Sequence, residues 1–157
     1  MAETLGSMID KLSIKAIREF YIKKMMRSKK NLSKDQLKDK LEILKKQKKS
    51  LLVEIEQFIA TSHQRKGIIR DEKLKLYNKP HLMNKIGKID SVAQGIDALT
   101  KKNFELWQLE DEARREDVSL SHIGKTKKRI DAANQQRNDL MDKIDDLLEE
   151  KLQGEKR

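Results

Sequence analysis

The feature that most constrains this chain is a run of side chains beginning at Leu37. Leu37, Leu41, Leu44, Lys48, Leu51, Ile55, Phe58 and Ser62 follow one another in alternating steps of four and three residues. Such alternation keeps every position on one side of an α-helix and makes a coiled-coil-like seam. A strand, with its period of two, would scatter the same side chains over both faces. Lys48 alone interrupts the seam, and the helix that carries it is expected over residues 34–66. A helix with one narrow apolar stripe gains its stability from partners that cover the stripe, so the rest of the chain must supply further helices.

It does. LGSMIDKLSIKAIREFYIKKMM predicts a first helix over 5–29, with Leu5, Ile9, Leu12, Ala16 and Phe20 on one stripe and Met8, Ile17 and Met25 widening it. Ile14, Tyr21 and Ile22 lie off that stripe, so this helix should touch neighbours on two sides. Ser33 followed three residues later by Gln36 has the form of a capping box ahead of the second helix. A third helix is expected over 81–115 on Leu82, Ile86, Ile89, Ala93 and Ile96, continued by Thr100, Asn103 and Trp107. A fourth, over 120–151, follows Ile123, Ile130, Ala133, Arg137, Leu140, Ile144 and Leu147, with Ser119 or Ser121 as its N-cap. Residues 67–80, GIIRDEKLKLYNKP, are expected as a connection closed by Pro80 and packed on the body through Ile68, Ile69, Leu74, Leu76 and Tyr77. The expectation is an all-α fold: one domain over 1–157, an antiparallel bundle of about four helices, three of them long and coiled-coil-like.

Composition agrees. With 39% charged residues, 4% aromatics, six Gly and one Pro, the chain lacks material for the turns of a many-stranded sheet. It has no cysteine, which excludes disulfides, thiolate zinc sites and cysteine nucleophiles. No apolar run approaches the roughly 20 residues that span a bilayer, and no secretory signal opens the sequence, so a cytoplasmic protein is expected. The net charge of +10 is unevenly distributed. Residues 11–49 hold fifteen basic and four acidic side chains, a net of +11; residues 103–150 hold eight and thirteen, a net of −5.

Folding the third and fourth helices into a hairpin with its turn near Val118 and Ser119 makes facing residues sum to about 237. Asn103 then faces Asn134, Thr100 faces Arg137, Trp107 faces Ile130, and Glu110 lies near Lys127. Both helices replace apolar seam residues by polar ones at the same depth. One reading is a closed layer, in which paired Asn and a seam Arg against a carboxylate fix register. The other is an open pocket of Asn103, Glu110, Asp111, Arg114, Asn134, Arg137 and Asn138, with Trp107 as one wall, for a small anionic or sugar-like ligand.

Enzyme signatures are weak. His63, His81 and His122 have no partner at metal-ligand spacing, the Glu-x-x-His pairs of di-metal bundles are absent, and no phosphate-cradling glycine loop occurs. No metal, cofactor or catalytic residue is expected. The basic runs KKMMRSKKNLSK and KKQKKS could meet phosphates, but no base-stacking aromatics accompany them, which ranks nucleic acid last among the partners.

Three motifs carry a resemblance: ETLGSMIDKLSIKAI, NFELWQLEDEAR and KRIDAANQQRND. In that order they resemble a bacterial family of helical proteins catalogued as a domain of unknown function. The matching residues are Gly6, Asp10, Lys11, Leu12 and Ile14; Asn103, Leu106, Trp107, Glu110, Asp111 and Arg114; and Asn134, Gln135, Arg137, Asn138 and Asp139. Met8 stands where the first motif of the family has Leu. The resemblance implies no chemistry, only a setting in cell-envelope polysaccharide assembly, and it draws Asp10 and Lys11 towards the polar layer if the first helix packs on the hairpin. Three functional expectations follow. The first is a non-enzymatic interaction or assembly module, with a protein partner or a second copy. The second is a small anionic-ligand binder acting through the polar layer. The third is a nucleic-acid binder acting through the second helix.

Overall fold

A computed structural model describes residues 3–28, 33–64 and 86–155. Four α-helices account for most of them: α1 (Leu5–Arg27), α2 (Lys34–Thr61, continued by a 3-10 turn Ser62–Gln64), α3 (Val92–Ala113) and α4 (Leu120–Gly154). There is no strand among the described residues.

Each helix starts on a hydroxyl. The side chains of Thr4, Ser33, Ser91 and Ser119 accept from the backbone N–H groups of Ser7, Gln36, Gln94 and His122, satisfying donors that the first turn leaves free. Ser33 and Ser119 are the caps the sequence points to. Ser91 corrects an expectation. The third helix does not run through residues 86–91; it begins at Val92, and Gln94 completes the cap by accepting from the Asp90 N–H at 2.8 Å. Gly87, at φ 73°, lies in the left-handed region that glycine tolerates, ahead of this start. Ile86 and Ile89 still pack on the core, from non-helical backbone. The expected stretch 81–85, the end of the second helix at 65–66 and the connection 67–80 lie outside the described residues.

Consecutive helices run antiparallel. α3 and α4 form the most extensive pair, α1 lies against both, and α2 packs chiefly on α1. The main core joins Leu5, Met8 and Ile9 of α1, Leu51, Ile55 and Phe58 of α2, Leu99 of α3, and Leu140, Ile144 and Leu148 of α4. A second cluster, Leu106, Leu109, Ile130 and Ala133, closes the hairpin towards its turn.

The expected seams need three corrections. On α3 the buried line is Gly95, Leu99, Asn103, Leu106 and Leu109, so Trp107 lies beside the seam rather than on it. On α4 Asp145 and Leu148 are buried while Leu147 is half-buried. On α1 burial stops at Ile17, and Phe20 is 56% exposed. The α2 seam is as the spacing predicts, with Leu37, Leu41, Leu44, Leu51, Ile55, Phe58 and Ser62 all buried.

Lys48, the break in that seam, has a partner. Its Nζ reaches Glu19 of α1 at 2.6 Å, and Lys23 binds the other Glu19 oxygen at 2.6 Å. These two hydrogen bonds, Lys23 first, hold the Glu19 carboxyl down to about 2. An interhelix ion pair thus occupies the position where a leucine would otherwise continue the stripe.

Candidate functional site

Glycine at position 6 lets the start of α1 approach α4 until the backbones touch. A Cβ there would run into the Met141 carbonyl, and the Gly6 N–H donates to the Asp145 carboxylate at 2.7 Å. Asp145 is 2% exposed. Burial pushes its carboxyl up to about 6, against the opposing hydrogen bonds from Gly6 and Thr4.

One turn further along α1, a polar layer spans three helices. Asp10 and Ser13 of α1 and Asn103 of α3 are all buried. The Asn103 Nδ2 donates to Asp10 Oδ1 at 2.8 Å and to Ser13 Oγ at 2.6 Å, while the Ser13 hydroxyl donates to the Asp10 carbonyl at 2.9 Å. Arg137 of α4 completes the layer, its Nε 3.1 Å from Asp10 Oδ1. The contact is an ion pair by proximity: the Nε proton is not directed at that oxygen and has no acceptor among the described residues. The Arg137 side chain is 30% exposed, although its Nε is buried.

The polar layer expected between two helices is therefore built mainly on a third. Asp10 joins Asn103 and Arg137, and it supplies the carboxylate in place of Glu110 or Asp111. Lys11 does not join; it binds Glu3 at 2.6 Å on the surface. Asn134 is half-buried, and Glu110, Asp111, Arg114 and Asn138 are exposed. Arg114 pairs with its neighbour Asp111 at 3.5 Å, and no hydrogen bond or ion pair among the described residues links these side chains to the buried layer.

The acidic end of LEDEAR and the residues after it serve the α3–α4 turn. The Arg115 guanidinium donates to both Asp117 oxygens, at 3.0 and 2.8 Å, and to Glu112 at 2.9 Å. Glu112 also contacts His122 Nε2 at 2.6 Å. Asp117 is held down to about 2 by the Arg115 hydrogen bonds, and Glu112 is lowered chiefly by His122.

Trp107 faces α1, not α4. Its ring stacks on Tyr21, with centroids 5.2 Å apart and planes at 17°, and Phe20 meets Tyr21 edge-on at 5.4 Å. Beside this stack lies a groove of about 290 Å³. Tyr21, Ile22 and Met25 of α1, Ile43 and Leu44 of α2, and Trp107 form its walls; Arg18, Lys40 and Gln47 rim it. Sequence reasoning missed this groove. The signal was there in Tyr21 and Ile22, which lie off the main stripe of α1, and in Ile43, which lies off the α2 seam. A second groove runs between the start of α3 and the end of α4, past Asp90, Val92, Ile96 and Leu147. Neither groove is lined by Asp10, Ser13, Asn103 or Arg137. Among the described residues no group of three or more His, Asp or Glu converges to hold a metal ion, and no helix is long and apolar enough to cross a membrane.

The family described as "Protein of unknown function (DUF4254)" matches residues 1–70 and 93–157. The chain belongs to that family, in keeping with the resemblance its motifs carry to a domain of unknown function. Searches of curated proteins and of solved structures find no match.

Proposed function

We propose that this DUF4254 protein is a non-enzymatic cytoplasmic interaction module, whose working surface is the groove between α1 and α2 beside Trp107. What carries the reading is the contrast in covering. The polar residues of the family-like motifs, Asp10, Asn103 and Arg137, contact one another, whereas apolar side chains at the far end of α1 and on α2 across the groove meet solvent. Phe20 and Ile43 are 56% and 57% exposed, and Met25 is 37% exposed. Apolar side chains grouped around a concavity mark interaction surfaces, whereas the same residues scattered singly need no explanation. The test is in-cell crosslinking with p-benzoylphenylalanine in place of Phe20, a change that keeps an aromatic ring against Tyr21. A defined protein adduct is expected there and not from the same probe at exposed Lys125 on α4. Absence of any adduct at position 20 would remove the module reading.

A second reading rests on Arg137. Its buried, uncommitted Nε proton and partly exposed side chain suit a small anionic ligand, such as a sugar phosphate or nucleotide-sugar, reaching the layer beside α4. Arg137→Met decides it. A variant that keeps its melting temperature and all in-cell function leaves no role for such a ligand.

A further inference from the structure

We propose that the Tyr21–Trp107 groove receives an acidic amphipathic helix from another protein. This rests on the interaction-module reading and adds the chemistry of the partner. The shape of the groove argues for a helix. Its walls repeat along both helices at helical spacing, Arg18, Tyr21, Ile22 and Met25 on α1 and Lys40, Ile43, Leu44 and Gln47 on α2. Seven residues of helix span about 10 Å, which matches the i, i+3/i+4, i+7 anchors of a helix laid in a groove. The volume of about 290 Å³ lies at the lower edge of the ~300–1,000 Å³ typical of small-molecule sites. Strand addition needs an open sheet edge, and the described residues form no sheet.

Charge chooses the partner. Arg18 and Lys40 line the groove, Lys24 lies beside its Tyr21 wall, all three are exposed, and none has a carboxylate partner among the described residues. Lys24 instead lies 5.8 Å from the centroid of the Tyr21 ring. Nearby Lys23 and Lys48 differ, since both are engaged by Glu19. A second copy presenting the same face would set Arg18 and Lys40 against their own copies, in a segment (residues 11–49) whose formal net charge is +11, so a two-fold dimer through this groove is disfavoured. Docking of the acidic α3–α4 half of a second copy would be head-to-tail, which builds a ring or an open filament rather than a two-fold dimer. A separate acidic helix meets neither obstacle: its apolar side chains insert against Trp107 and Ile43, and its carboxylates meet the basic rim.

Trp107, the sole tryptophan, reports on the groove directly. The full chain is titrated with a synthetic helical peptide carrying Leu at i, i+4 and i+7 and Glu on its other faces, with its Lys counterpart, and with a 20-base-pair DNA duplex. The acidic peptide should shift Trp107 emission and weaken with salt, and the Lys peptide should not bind. Arg18→Glu combined with Lys40→Glu should weaken the acidic peptide about tenfold or more, with unchanged circular dichroism because both side chains are exposed. The proposal is overturned if the acidic peptide fails to bind, or binds equally well to the charge-reversed chain. It is overturned in favour of nucleic acid if only the duplex binds and loses affinity on charge reversal. The crosslink at position 20 separates this failure from that of the broader reading. An adduct whose partner segment is basic or neutral sinks the acidic helix and leaves the module standing; no adduct sinks both.

Discussion

The two halves of α1 use the same kind of helix to opposite ends. From Leu5 to Ile17 it is enclosed by the other helices, and its polar groups have partners: Gly6 with Asp145, and Asp10 and Ser13 with Asn103 and Arg137. From Arg18 to Arg27 it has α2 on one side and Trp107 on another, and leaves Phe20, Met25 and a basic rim to solvent. Buried polar groups that find their partners on three helices fix how those helices meet, because any slip in register separates the partners. Apolar surface left open beside uncompensated cations does nothing for the fold that a polar face would not do better. Such a surface marks where a partner is to be sought.

The sharpest way to break this contrast is Asp10→Ala. It leaves Arg137 and Asn103 without their carboxylate inside the bundle, and a loss of about 3 kcal/mol is expected in denaturant unfolding, at the low end of the range for buried pairs because Arg137 is partly exposed. Adding Arg137→Met should recover part of that loss; a double variant no better than the single would show that Arg137 contributes nothing to the layer.

Next comes the pH dependence at Asp145. Its carboxyl is raised from 3.8 to about 6 in the fold, so the folded state binds the proton more tightly than the unfolded chain. The resulting stability is complete below pH 3.8 and is lost as pH rises through 6, a difference of about 3 kcal/mol or somewhat less. Asp145→Asn should flatten that part of the profile relative to the parent chain. An unchanged slope between pH 4 and 6 would place the titration elsewhere.

Smaller still is Glu19→Gln, which disconnects Lys48 and Lys23. Glu19 and Lys48 are 17% and 26% exposed but Lys23 is 49% exposed, so about 1 kcal/mol is expected at neutral pH. Because Glu19 is held down to about 2, its contribution is present above 4.5 and disappears as pH falls through 2, opposite in sign to Asp145. The smallest effect on stability belongs to the open end: Ile43→Glu should change unfolding by no more than about 0.5 kcal/mol while removing the crosslink at position 20.

Much of this division was legible in the sequence and some of it was not, for identifiable reasons. The α2 seam and the caps at Ser33 and Ser119 follow from local spacing and hydroxyl chemistry, which tertiary contacts reinforce. The polar layer was legible as a depth, through Asn103 and Arg137, but not as a set of partners. Pairing two helices by arithmetic assigns Trp107 to α4, whereas α1 lies across both helices and brings Tyr21 to Trp107 and Asp10 to Arg137. Glu110 lies seven residues after Asn103 and so on the same side of α3. Near the turn, however, the buried line moves to Leu106 and Leu109, and Glu110 stays in solvent. Asp145 gave no signal, since a buried carboxylate in IDDLLEE looks like any other charge on a solvated helix. Its partner is a backbone N–H that only the crossing of α1 over α4 delivers.

The claim that one half of α1 is architecture and the other is function is tested most directly by crosslinking at position 20 in two backgrounds. In Asp10→Ala/Arg137→Met the adduct should persist at the parental yield once folding is confirmed by circular dichroism, whereas in Ile43→Glu it should disappear from a fully folded chain. Loss of the adduct from the folded polar-layer variant, with retention in Ile43→Glu, would contradict the account and move the working site to Asp10, Asn103 and Arg137.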